Sequence, residues 1–183
     1  MPIQHIVTVH DYRYAFQPGT YLWKDHRGLV VNIGKTTSPA SSVLSRNLQQ
    51  SKVPVHRGIA QRGDTGTLYR AGPSSCENVL IAAYTILTGS LPEGQAHPGR
   101  PLAGNQRGLV LRASDLRAHW QTILDAFNAE CGQHPRELRG LEDLSRKLTG
   151  NERVRVRYNP DTGRLAGYDV SPTNTGANWA RVE

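Results

Sequence analysis

The chain has 183 residues, which suits one domain of ordinary size or a compact core carrying an elaboration. Its hydrophobic content of 37% is low, yet there are enough apolar periodic segments for a core, and no apolar run approaches the length of a membrane-spanning helix. The formal charge is +7, and Cys76 and Cys131 supply neither a CxxC pair nor a Cys/His cluster with zinc spacing; they read as two buried or half-buried thiols rather than a disulfide.

The opening Met1-Pro2-Ile3-Gln4-His5-Ile6-Val7 lacks the basic-then-apolar layout of a signal peptide. A cytoplasmic location is expected, with export by a machine that needs no cleaved signal as the alternative. Tyr21-Leu22-Trp23 and Leu29-Val30-Val31-Asn32-Ile33 are apolar and β-prone, and the polar Lys24-Asp25-His26-Arg27-Gly28 between them reads as a hairpin turn. Strands so joined lie side by side, which brings Tyr21 and the Asn32–Lys35 segment to one spot. Ser38-Pro39 begins a helix through Val43, Leu44 and Leu48, with a serine cap and a proline in the first turn. Ser74-Ser75-Cys76-Glu77 opens a second, Val79 to Leu87, which closes at Gly89.

Further along, Gly108-Leu109-Val110-Leu111 reads as a short strand. Ser114 caps a helix whose Leu116, Trp120, Ile123, Leu124 and Phe127 fall on one stripe, ending at Gly132. Pro135 begins another, with Leu138, Leu141, Leu144 and Leu148 on one face and Gly150 as its stop. Val154, Val156 and Tyr158 then alternate with Arg153, Arg155 and Arg157; the turn Asn159-Pro160-Asp161-Thr162-Gly163 and a return strand to Val170 complete a hairpin with one apolar and one basic face. That basic face suits phosphates, or is a solvated outer face. The tail Ser171–Asn178 is polar and expected to be mobile, with Trp179 as an anchor. There are no internal repeats and no clear interdomain linker.

The distribution of charge says more than its total. Between His26 and Cys76 the one acidic residue is Asp64, against Arg27, Lys35, Arg46, Lys52, Arg57, Arg62 and Arg70. Nearly all the excess charge therefore sits in this window. A basic surface confined there favours a polyanionic partner, with Arg57, Arg62 and Arg70, and Arg155 and Arg157 of the hairpin, as candidate phosphate contacts. A generic basic surface is the plain alternative.

Gly19-Thr20-Tyr21 is followed, eleven residues after Tyr21, by Asn32-Ile33-Gly34-Lys35-Thr36. The pair resembles the double signature of the GIY-YIG nuclease superfamily, with GTY and NIG in place of the two triplets. In that family an arginine follows on the next helix, a glutamate opens a later helix and an asparagine comes after; here Arg46, Glu77 and Asn105 stand in that order. The resemblance covers residues 19–105 and departs from the family's pattern at Asn32, where the second tyrosine is replaced. It implies an α+β fold with a small, largely antiparallel sheet flanked by helices, a magnesium-dependent phosphodiesterase activity, and Glu77 as metal ligand.

Each residue carries a structural alternative. Glu77 would hold one hard cation through a carboxylate and waters, or, as the end of Ser74-x-x-Glu77, close a capping box. Arg46 would bind the scissile phosphate bidentately, or be a solvated helix arginine. Tyr21 would partner the attacking water, as a hydrogen-bond partner or, once ionised, as a base, or be a core tyrosine. Lys35, a position where some restriction-type members also carry lysine, would activate water or bind phosphate, or be a strand-end lysine. Asn105 would orient the site, or be half of a Gly-Asn turn. Asn32 can hydrogen-bond but cannot act as acid or base near neutrality, so its place is a positioning one. A phosphate-loop reading of Gly28 to Thr36 fails, because five strand-forming residues separate the glycines where that motif needs a four-residue loop.

The expectation is a nuclease-like core over residues 1–110, with a helical and basic-hairpin elaboration over 111–183 that contacts nucleic acid. The expected activity is hydrolysis of DNA phosphodiesters with one Mg2+ per site, of restriction type. Alternatives are a catalytically silent nucleic-acid-binding module and a toxin-like ribonuclease. DNA is the expected partner, RNA is possible, no membrane is involved, and a homodimer is open.

Overall fold

The computed structural model describes residues 7–9, 19–25, 30–36, 66–95, 109–119, 122–123, 127, 151–172 and 178–181. They form an α+β protein with two four-stranded, largely antiparallel sheets. The chain divides into two compact units, Met1–Glu77 and Asn78–Glu183.

The N-terminal unit holds β1 (Val7–Val9), β2 (Gly19–Asp25), β3 (Val30–Thr36) and β4 (Gly66–Gly72), in the order β1-β4-β2-β3. β2 pairs antiparallel with both β3 and β4, while β1 joins β4 in parallel. The β2–β3 pair is the one expected from the sequence, but β2 extends through Lys24 and Asp25, which still pair with β4. Alternation along an antiparallel pair divides its side chains between two faces. Tyr21 and Trp23 share one face with their partners Gly34 and Asn32; Thr20 and Leu22 share the other with Lys35 and Ile33. Tyr21, Trp23, Leu22 and Ile33 are all buried, so the pair is apolar on both sides. Burying each such side chain contributes about 2 kcal/mol.

One end of β2–β3 is tied to the next segment through side-chain bonds. Gly19 donates its N–H to Thr36 Oγ1 at 3.1 Å, Thr20 Oγ1 donates to the Pro73 carbonyl at 2.7 Å, and Ser74 Oγ donates to the Thr36 carbonyl at 2.7 Å. Ser74–Cys76 form a single 3-10 turn that leads into α1 (Glu77–Thr88). Cys76 is a buried free thiol that donates to the Pro73 carbonyl, in keeping with the sequence reading; Cys131 lies outside the described residues. Gly89 ends α1 in the left-handed conformation, φ 79°, which glycine adopts without penalty.

The C-terminal unit is built on β5 (Leu109–Arg112), β6 (Arg153–Tyr158), β7 (Leu165–Ser171) and β8 (Ala180–Arg181), antiparallel throughout and in chain order. The β6–β7 turn is closed by Asn159, whose Oδ1 accepts from the backbone N–H groups of Asp161 and Thr162. The segment after α1 docks on this turn: Leu91 donates to the Gly163 carbonyl and Leu165 to the Gly89 carbonyl. Leu109, Leu111, Val154 and Val156 are buried, as are Leu116, Ile123 and Phe127 of the expected helical stripe. Phe127 lies 5.7 Å from the ring of Tyr84 on α1.

One cap differs from expectation. α2 (Ala113–Ala118) starts directly from β5 with Arg112 as its N-cap, which makes no side-chain capping bond, and Ser114 is inside the first turn. The strand runs straight into the helix, so the serine comes too late to cap it. The helices expected from Ser38 and Pro135 lie outside the described residues. Among the described residues no helix is long and apolar enough to cross a membrane.

Candidate active site

Two of the expected site residues meet. Lys35, near the end of β3, reaches Glu77, the first residue of α1, with Nζ 3.1 Å from Oε2. The approach follows from the chain path: Ser74 is bonded to the Thr36 carbonyl, so the head of α1 is pinned beside Lys35 three residues later. The capping box that was the alternative reading of Glu77 is not formed. Ser74 spends its proton on β3, and the Glu77 carboxylate turns to Lys35 instead of back to the helix start. The side chains are 41% and 19% exposed, which leaves the pair open to solvent and to a ligand.

Tyr21 belongs to a different environment. It stands directly opposite Gly34, is 1% exposed, and its phenol lies over the glycine backbone: a Cβ built on Gly34 would overlap Oη and Cζ. Residue parity places this ring on the face of the β2–β3 pair opposite Lys35. Asn32 is 5% exposed, lies opposite Trp23, and shares the face of Tyr21. The two triplets thus come together as expected, but their side chains separate into a packed cluster of Tyr21, Trp23, Asn32 and Gly34 on one side and an open Lys35–Glu77 pair on the other.

Arg46, Arg57, Arg62 and Asn105 lie outside the described residues. Arg70 stands in β4 at the position opposite Tyr21. Arg155 and Arg157 are not simply solvated. Both bind Asp169 Oδ2 on β7, Arg155 through Nε at 3.0 Å and Nη2 at 2.7 Å, Arg157 through Nε at 3.0 Å. Asp169 is 3% exposed. Burial alone would raise its carboxyl, but the hydrogen bond from Arg155 and the charge and hydrogen bond of Arg157 outweigh it and hold the group below the ordinary carboxylate value. Trp179 packs over the Arg155 guanidinium, 4.4 Å from ring centroid to Cζ, and so acts as the anchor its place in a polar tail suggests. Sequence reading missed Asp169; counting out from the turn sets Tyr168 opposite Arg155, and the register shift between Arg157 and Tyr158 brings Asp169 there instead.

Among the described residues no three His, Cys, Asp or Glu side chains converge as a metal-binding group. A magnesium site that keeps most of its water needs only one or two carboxylates, and a partly exposed Glu77 can supply one. Comparison with protein-family models, curated proteins and solved structures finds no match for the chain.

Proposed function

We propose that this chain is a magnesium-dependent endonuclease that hydrolyses DNA phosphodiester bonds, of restriction type and working in the cytoplasm. The observation that carries the reading is the 3.1 Å approach of Lys35 and Glu77, which joins the residue after the second signature triplet to the helix-opening glutamate, 42 residues away in sequence. An ammonium and a carboxylate side by side and open to solvent form a two-sign site: one group binds phosphate oxygen and the other binds a cation. Glu77 would hold the magnesium ion, which supplies neutralisation of charge on the transferring phosphate and on the departing oxygen.

The residues do the rest. Lys35 donates hydrogen bonds to a non-bridging oxygen and fixes the phosphate against Glu77. It also orients the attacking water, because it shares Glu77's side of the strand pair and Tyr21 does not. Tyr21, Trp23 and Asn32 set the register that aims Lys35. Arg46 supplies a further fixed charge to the phosphate in this reading. Hydrolysis adds water across the P–O bond and leaves one terminal phosphate and one terminal hydroxyl.

A second reading, a binding module without cleavage, is favoured by Asn32: a buried amide at the second signature position transfers no proton. Incubation of the purified chain with plasmid DNA and with RNA, in magnesium and in chelator, separates the cases. Magnesium-dependent DNA fragments are the expected result. Binding without cleavage supports the silent module, and cleavage of RNA alone supports a ribonuclease.

A further inference from the structure

The side of the C-terminal sheet that carries Asp169 is an arginine field wider than the hairpin that suggested it. Register places Arg112 of β5 opposite Arg153, and Arg181 of β8 opposite Asp169. Partners across antiparallel strands share a face. Arg112, Arg153, Arg155, Arg157 and Arg181 therefore occupy one face, with Asp169 as the carboxylate among them, and four strands contribute to it. Among the described strand positions of this face one acid stands with five arginines, an excess of cationic groups.

Its centre is fixed and its margins are open. Asp169 locks Arg155 and Arg157 in place, and the Trp179 ring lies against the Arg155 guanidinium, 4.4 Å from ring centroid to Cζ. Gly167, opposite Arg157, removes the side chain that would lift that guanidinium: a Cβ there would come within 3.0 Å of Nη2. Arg112 and Arg181 are exposed, on strands at opposite edges of the sheet. Along β6 the arginines recur every ~6.8 Å, the repeat of alternate residues in a strand. A row of cations at that interval, with an indole stacked among them, matches an extended polyanion that also carries flat rings.

We propose that this face is a track for single-stranded nucleic acid, distinct from the Lys35–Glu77 pair and resting on the C-terminal unit alone. The arginines take the phosphates, and Trp179, already held over one guanidinium, offers its ring to a base. A duplex presents its phosphates without free base faces and uses the indole less well; an acidic lipid surface does not use it at all.

The test is fluorescence anisotropy of a labelled single-stranded oligonucleotide with the full chain, in chelator so that no cleavage intervenes, at several salt concentrations. Arg112→Ala and Arg181→Ala remove exposed arginines and leave the Asp169 cluster whole. Each is expected to weaken binding about threefold, the pair about tenfold, with the salt slope falling by about 0.7 per lost contact. Arg112→Lys is expected to retain the slope. Unchanged affinity and slope in the double variant overturns the proposal, as does tighter binding of a duplex of equal length or binding of anionic phospholipid vesicles in place of the oligonucleotide. Cleavage in magnesium is scored separately. Cleavage by the doubly substituted chain with unaltered strand binding would sink this track and spare the hydrolytic reading; arginine-dependent binding with no cleavage under any condition would do the reverse.

Discussion

The phenol of Tyr21 lies across the backbone of Gly34, its direct partner on β3, in a space that the absence of a side chain creates. An aromatic ring seated over a cross-strand glycine restores the packing that the glycine by itself forfeits. Gly34→Ala should therefore destabilise the N-terminal unit by about 2 kcal/mol through overpacking. Urea denaturation of Gly34→Ala, Tyr21→Leu and the double variant measures it. The double variant should lose less than the sum, because the smaller side chain vacates the space the new methyl needs. Strict additivity would contradict the contact.

Glu77→Gln should cost little stability and nearly all activity. The ion pair is open to solvent and contributes at most about 1 kcal/mol. Loss of the anionic ligand, in contrast, should lower the cleavage rate by about 100-fold or more. Lys35→Ala should behave alike. The exchanged pair, Lys35→Glu with Glu77→Lys, restores the charge contact but not the order of the site; recovery of cleavage in it would reduce the pair to a structural bridge.

Tyr21→Phe should keep the fold and leave cleavage within a few-fold of the native chain, since the phenol faces away from Lys35 and Glu77. Cleavage rates of Tyr21→Phe and Lys35→Ala, compared side by side, decide which group handles the water. A collapse in Tyr21→Phe alone would return that role to the phenol.

Asn32→Tyr would give the second triplet the tyrosine of the pattern it resembles, and the structure leaves little space for it. Asn32 is 95% buried opposite Trp23, so the larger ring should cost about 1–3 kcal/mol by overpacking. Thermal unfolding of the variant reads the cost directly. A stability equal to the native chain would mean the strand pair yields more easily than its burial implies.

Asp169 predicts an acid limb. Its folded carboxyl is held below the unfolded value, so its stabilisation is complete above about pH 4, near the ordinary carboxylate value, and drains away as pH falls through the folded one. Asp169→Asn should cost about 3 kcal/mol at neutral pH, by leaving two guanidinium groups without their carboxylate, and should flatten that acid dependence. Denaturation midpoints of both proteins at several pH values from neutral to acid give the comparison.

Much of this was legible in the chain itself. The period-2 alternation of Arg153 to Tyr158 and the Asn-Pro-Asp-Thr-Gly turn located β6 and β7 to within a residue, since β7 ends at Ser171 and not Val170. Gly89 stopped α1 where the sequence closes it, and does so in the left-handed conformation. What escaped depended on register, which composition does not encode. Tyr21 and Lys35 were grouped as neighbours, and only the pairing of Tyr21 with Gly34 reveals that parity sends them to opposite faces. Ser74 and Glu77 had the letters of a cap, but a free strand-end carbonyl and an ammonium competed for them and won. Asp169 passed unnoticed because an acid within a strand matters through what lies across from it.

The ring-over-glycine contact also bears on how this chain tolerates change in length. Residues 26–29 join β2 to β3, and an insertion or deletion there would tend to slide one strand along the other. A slide of one residue would drive the Tyr21 ring against Ile33 or Lys35, neither of which leaves room for it, so the altered connection has to absorb the change while the strands stay put. Lys35 then keeps its aim at Glu77 although neither residue takes part in the contact that secures it. The reverse side of the sheet thus acts as a detent for the side that carries Lys35, and length variation between Tyr21 and Asn32 can accumulate without moving the lysine.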